Sequence, residues 1–309
     1  MPGLYEDIVD AMNALHGAHP GFRAAHAKGT VARGSFTPSA RASELTTAAH
    51  LQGEKVPVTV RFSNGSGDPE ARDGDRRDGR GLAVKFELPG GAATDIVSVT
   101  LPVFFVKDAQ SFLDFLHARE PDPETGDPDM EKLGAFLGAH PETAAAVQLI
   151  LPALSPPTSF ATTRYNALHA FAFTNAEGET VYGRYSWIPE AGEELLPENE
   201  IDGSDRDYLE AEIRERLANG PVGFTLQLQI AGDGDVLEDP TVAWPAEREV
   251  VELGRLEISE VVENPETADA PLVFDPVNVI EGIECSDDEI LEARSKAYSV
   301  SIERRTATA

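Results

Sequence analysis

The strongest constraint on the fold is a strict two-residue alternation in two separated stretches. Phe224, Leu226, Leu228 and Ile230 alternate with Thr225, Gln227 and Gln229, and Val58, Val60 and Phe62 alternate with Thr59, Arg61 and Ser63. An extended strand points successive side chains to opposite faces, so each stretch has one apolar face that must be covered. Further strand-forming runs occupy residues 81–88, 95–99, 103–106, 163–175, 180–188 and 249–258. Residues 22–36 are strand-like but interrupted by Gly29 and Gly34.

Helical spacing is confined to fewer places. Leu4, Ile8, Met12 and Leu15 mark an amphipathic helix that stops near Gly17 and Pro20. Residues 43–52 are expected to form a short helix, 109–151 a helical insert, 208–217 an amphipathic helix and 287–305 a last helix. Ser286, followed by Asp287, Asp288 and Glu289, reads as the N-terminal cap and acidic first turn of that last helix. Strands and helices do not alternate regularly, which argues against a parallel sheet built from βαβ units. The expected fold is α+β: an antiparallel eight-stranded β-barrel with inserted helices, in one domain over residues 1–309.

Charge narrows the partners. The chain has 25 basic and 54 acidic residues, a net charge of −29, which argues against nucleic acid and against an anionic membrane surface. A single cysteine, Cys285, excludes an internal disulfide and any multi-cysteine metal site, and it suits a reducing compartment. Residues 1–12 lack a basic, apolar signal region, and no apolar run approaches the length of a membrane span. A soluble, cytoplasmic protein is expected.

The last helix carries the first chemical hint. Arg294 and Tyr298 are four residues apart and so share a face, and Arg305 falls on the same stripe about three turns along. A guanidinium beside a phenol favours the phenolate, a hard anionic oxygen that can ligate ferric iron. On these residues alone, an amphipathic helix with an incidental Arg–Tyr contact explains the pattern better. Of the seven histidines, His16, His19, His50, His117 and His140 need only surface or capping roles.

A set of short motifs changes that balance. FRAAHAKGTVARGSF at residues 22–36, VRFS at 60–63, DGRGLAVKF at 78–86, PVFFVKD at 102–108 and ARSKAY at 293–298 follow one another along the chain. Their order and spacing resemble the haem catalase family, over residues 22–305. The resemblance implies a barrel with haem b, its iron ferric, held between barrel and helices. It also implies that Tyr298 is the proximal ligand, since tyrosine-ligated haem is this family's own arrangement. Cys285 remains a competing ligand, because cysteine also binds haem iron.

By the same resemblance His26, in RAAHAKG, is the distal acid–base residue, which takes a proton from one peroxide oxygen and returns it to the departing one. An imidazole, with an unperturbed pKa of about 6.5, suits that task. Ser63 would fix the tautomer of His26. Arg23, Arg61 and Arg305 would pair with the haem propionates, because buried carboxylates need cationic partners. His169, in NALHAFAF, would contact Arg294, and Phe112 would lie over the distal face of the haem.

Two positions depart from the family pattern. Thr100 stands where an asparagine hydrogen-bonds peroxide, and Ala25 stands where a valine narrows the cavity. Both changes should weaken tight handling of hydrogen peroxide and admit larger reactants. The chain looks like a small, core-only member, for which a monomer or homodimer is expected rather than an intertwined tetramer. The implied function is that of a haem-dependent peroxidase reducing hydrogen peroxide or organic hydroperoxides with organic electron donors, through a ferryl state. The alternatives are a monofunctional catalase, a lyase or synthase rearranging fatty-acid hydroperoxides, a non-catalytic haem carrier and, last, a haem-free lipid-binding barrel.

Overall fold

Eight strands pair edge to edge until the last meets the first. They are β1 (Gly29–Pro38), β2 (Val56–Asn64), β3 (Arg80–Glu87), β4 (Ala93–Val99), β5 (Tyr165–Asn166), β7 (Thr180–Pro189), β8 (Val222–Ile230) and β9 (Val250–Val261). Neighbouring pairs run β1–β2–β3–β4–β5–β7–β8–β9 and back to β1, all antiparallel, so the barrel has no free edge. Two short strands extend the sheet from β7: β6 (Phe171–Thr174) and β10 (Ile283–Cys285). The computed structural model describes residues 3–122, 129–263, 269 and 271–307.

The alternation read from the sequence fills the barrel. Val60, Phe62, Phe224, Leu226 and Leu228 are all fully buried, and they pack with Phe36, Leu82, Phe86 and Trp187 in one cluster. Phe62 stacks on Phe160 with ring centroids 5.2 Å apart. The polar face of β2 is buried too: Arg61 and Ser63 lie on it with only 3% and 5% of their surface exposed. Something packs on the outside of the barrel there, and that is where the candidate site forms.

The covering layer comes from both ends of the chain. The N-terminal helix Leu4–His16 buries Ile8, Val9 and Ala11 against the helix Ala109–Ala118 and the C-terminal helix Glu289–Ala307. Lys296 of the C-terminal helix donates to Tyr5 Oη at 3.3 Å, and Arg304 pairs with Asp10 at 2.6 Å. Among the described residues no helix is long and apolar enough to cross a membrane.

Several sequence expectations need correction. Residues 103–106 form no strand; Val103 and Val106 are buried in a loop, so their apolar character reflects packing and not pairing. Residues 43–52 form two separate turns, Ala42–Leu45 and Ala49–Leu51, because Thr46 and Thr47 between them bond to Gly282 and Thr174. The run 163–175 breaks into β5 and β6 where Leu168 adopts φ 66°. The short β10 was not anticipated. The insert folds as helices Ala109–Ala118, Met130–Ala139 and Pro141–Ile150, while its residues 123–128 lie outside the described residues. The C-terminal helix is capped by Asp288 and not by Ser286: Asp288 Oδ1 accepts from the amides of Ile290 and Leu291.

The fully buried ring of Phe62 joins the two halves of the barrel core. Phe62→Ala should therefore lower unfolding free energy by about 3–5 kcal/mol, the usual cost of a core aromatic truncation. Urea denaturation followed by tryptophan fluorescence measures it, and a loss below 1 kcal/mol would show that the core collapses into the gap.

Candidate active site

A cavity of about 790 Å³, part of it open to solvent, lies between the outer face of the barrel and the two terminal helices. Its lining includes Arg23, Ala25, His26, Arg61, Ser63, Tyr298 and Arg305. Most of the residues expected to act together thus meet in one place, although 282 positions separate Arg23 from Arg305.

His26 sits just before β1 with φ 55°, in the left-handed region that few non-glycine residues adopt. Backbone strain of this kind costs about 1–3 kcal/mol and persists where the surroundings force it. Two bonds do so here: the His26 amide donates to Gly65 O at 3.0 Å, and its Nδ1 lies 2.9 Å from Ser63 Oγ. In the strand register Ser63 faces Gly29 of β1 and Gly81 of β3. A Cβ at Gly81 would stand 2.6 Å from Ser63 Oγ and 2.9 Å from His26 Nδ1, so only glycine admits this pair. A Cβ at Gly29 would strike the Arg61 guanidinium at 2.6 Å.

The exposed part of His26 faces the cavity. Burial, then the positive charges of Arg61, Arg294 and Arg23, push its pKa down to about 3. It is therefore a neutral imidazole throughout the physiological range, able to accept a proton.

Tyr298 is organised from behind. Arg294, one helical turn earlier, directs Nε and Nη2 at the phenol oxygen, 3.2 and 3.1 Å away. Its Nη1 lies 2.9 Å from His169 Nε2, and His169 Nδ1 lies 2.6 Å from Asp288 Oδ2. Arginine can only donate, so His169 Nε2 must accept and its Nδ1 carries the proton that Asp288 receives. Asp288 thereby caps the helix with one oxygen and fixes His169 with the other. Burial lowers the pKa of His169 against the opposing pull of Asp288. The left-handed Leu168, immediately before His169, is the second non-glycine residue with positive φ among the described residues.

The arginines gather at one part of the lining. Arg61 and Arg305 are 3% and 7% exposed, and burial together with Arg23 pulls the pKa of each down to about 10. Such a cluster is costly unless anions neutralise it. One carboxylate does so in part: Asp269 accepts from Arg23 Nη1 at 2.7 Å and from Arg61 Nε at 2.8 Å.

Three expected participants are placed elsewhere. Thr100 does not line the cavity; its Oγ1 accepts from the Arg80 amide at 3.1 Å, which gives it a bracing role between β3 and the chain after β4. Phe112 also lies off the lining, in an aromatic cluster with Phe104 and Phe105 at 5.9 and 5.6 Å. Cys285 sits in β10, away from the lining, and burial pushes its thiol up to about 11, so it is a poor rival to Tyr298. Asp288 and Asp269 were missed. Asp288 was visible only as a helix-start acid, and Asp269 had no sequence signal at all.

A closed antiparallel barrel with a histidine–serine pair, an arginine-backed tyrosine and an arginine cluster around one cavity defines a cofactor-dependent barrel protein. The catalase family model matches residues 8–309, and the chain belongs to the catalase family. It is 41% identical over 305 residues to the catalase-related peroxidase of Mycolicibacterium paratuberculosis, covering 98% of this chain and 96% of that protein. It is 34% identical to the catalase-related peroxidase of Synechococcus elongatus, covering 97% and 88%. Among solved structures it is similar to a fungal catalase, with a TM-score of 0.83 and 25% identity, and to catalase A from Saccharomyces cerevisiae, with the same two values. Those matches cover 93% of this chain but only 60% and 62% of the solved chains.

Family and fold imply haem, and the residues fit it. A phenol oxygen and an imidazole both line the cavity, and the buried guanidiniums of Arg61 and Arg305 line it too, the donor set that a metal-bearing, carboxylate-edged macrocycle calls for.

The depressed pKa of His26 has a direct check. Imidazole NMR of the haem-free protein should show His26 uncharged from neutral pH down to about 3. Protonation near 6.5 would mean that the ring is solvated and the pair with Ser63 loose.

Proposed function

We propose that this protein is a haem b-dependent peroxidase of the catalase-related type. It reduces hydrogen peroxide or organic hydroperoxides at the expense of organic electron donors. The observation that carries the reading is the neutral His26, paired with Ser63, lining the same cavity as the arginine-backed Tyr298. A haem carrier needs no such distal base. The reading treats the chain as one haem-binding domain acting in the cytoplasm as a monomer or homodimer.

Bound haem would supply the iron and the two electrons that peroxide reduction consumes, which the organic donor restores. The protein supplies proton handling and orientation. Tyr298 Oη would ligate that iron, and the two N–H groups that Arg294 directs at it would stabilise negative charge on the oxygen. His26 Nδ1 pairs with Ser63 Oγ at 2.9 Å, and with that nitrogen as the donor Nε2 is the base. Nε2 takes the proton from one peroxide oxygen and delivers it to the other. The O–O bond then breaks with the departing oxygen leaving as water or an alcohol. Arg23, Arg61 and Arg305 hold the propionates. Ala25, small and on the lining, leaves room for bulkier hydroperoxides.

Purified, haem-loaded protein should oxidise organic donors faster than it releases oxygen from hydrogen peroxide, per bound haem. Oxygen release as the dominant reaction would overturn the peroxidase reading in favour of a catalase. His26→Ala should retain haem and react with peroxide about 10²–10⁴-fold more slowly in stopped-flow mixing, the usual range for losing a general acid–base group.

A second substitution tests the ligand. Tyr298→Phe keeps the ring but removes the oxygen, so the visible spectrum of the bound haem should change and its retention should fall. An unaltered spectrum would remove Tyr298 from the coordination sphere.

A further inference from the structure

Asp269 contacts two of the three cavity arginines but is absent from the cavity lining, whereas Arg23, Arg61 and Arg305 all belong to it. The carboxylate therefore grips its partners from behind. Each oxygen takes one arginine: Oδ2 accepts from Arg23 Nη1 at 2.7 Å and Oδ1 from Arg61 Nε at 2.8 Å. Arg61 Nη2 donates to Ala27 O at 3.3 Å.

The same short segment holds the third arginine. Leu272 O accepts from Arg23 Nη2 at 2.9 Å and from Arg305 Nη2 at 2.7 Å. A little farther on, Asp275 Oδ2 accepts from Ser295 of the C-terminal helix at 2.7 Å, which fastens the segment to the helix that carries Tyr298.

We propose that Asp269 is a positioning residue for the carboxylate edge of the cofactor. It pins Arg23 and Arg61 from outside the cavity lining so that their remaining N–H groups face the propionates. The proposal rests on the haem reading above. Its mechanism is that of any outer partner of a ligand-holding group: the side chains that touch the cofactor keep their geometry because something behind them is satisfied.

Position and charge can be separated by two variants. Asp269→Asn removes the charge, and Asp269→Glu keeps it but moves the carboxylate by one methylene. Haem-free protein is titrated with ferric haem by absorbance, and the off-rate is read by transfer to a scavenger globin. Both variants should bind haem about 10- to 100-fold more weakly, the usual loss on removing an outer-shell partner. Haem dimethyl ester, which lacks the anionic edge, should bind all three proteins alike. Thermal melts of the haem-free proteins confirm folding, and if the asparagine variant does not fold, the glutamate variant decides the matter. Unchanged or tighter haem binding by Asp269→Asn would overturn the proposal and make Asp269 a competitor for the arginines. Wild-type affinity in Asp269→Glu would also overturn it, because charge alone would then suffice. Failure of the wild-type protein to bind haem would instead remove the functional reading itself.

Discussion

A guanidinium can donate hydrogen bonds but never accept them, and that property of Arg294 orders four side chains. Because Arg294 donates to His169, the imidazole must present a bare Nε2 and point its proton at Asp288. Because the other two donors of Arg294 meet at Tyr298, the phenol oxygen is held in one place. His169 belongs to the segment between β5 and β6, and Asp288 caps the helix that bears both Arg294 and Tyr298. The chain of bonds therefore attaches the helix to the barrel at its first turn, in a region where His169 and Asp288 are 0% and 2% exposed. Loss of one member would leave a buried polar partner unsatisfied, which is more damaging than never having had the pair.

The other half of the site is built on the outside of β2. Strands that face solvent can place any polar residue outward, but here Arg61 and Ser63 are covered and must be satisfied. Glycines on both flanking strands give Ser63 and Arg61 their room, so the site depends as much on side chains that are missing as on those present. The result is an electrostatic asymmetry: a strongly acidic protein that keeps a buried cluster of arginines for one anionic guest.

How much of this was legible in the sequence depended on the length scale of each signal. The alternation of Val58, Val60 and Phe62 and of Phe224, Leu226 and Leu228 reports burial on one face, and the barrel interior uses those faces. The same logic failed for residues 103–106, where burial came without a neighbouring strand, and for residues 163–175, where one left-handed residue broke the run. The meeting of His26, Ser63, Tyr298 and the three arginines was legible only through motif resemblance, since no local pattern links residues so far apart. The bond from the Arg80 amide to Thr100 was not legible, because a matching position fixes where a backbone runs and not where a hydroxyl finds its partner. Asp269 could not have been found, because an acid among 54 acidic residues has no distinguishing neighbourhood in sequence.

The span of the cavity lining, from Val9 to Arg305, bears on how the molecule is made. A ribosome delivers the chain from its first residue, so the barrel strands emerge long before the helix that closes the cavity. Until Glu289–Ala307 is released, the covered outer face of β2 lacks one of its walls and Leu4–His16 can pack on Ala109–Ala118 alone. Contacts that join the two ends of a chain are entropically the slowest to form. The barrel is therefore made with a cationic, partly apolar trough on its flank, and the trough becomes a cofactor pocket only once the helix that carries Tyr298 has been added.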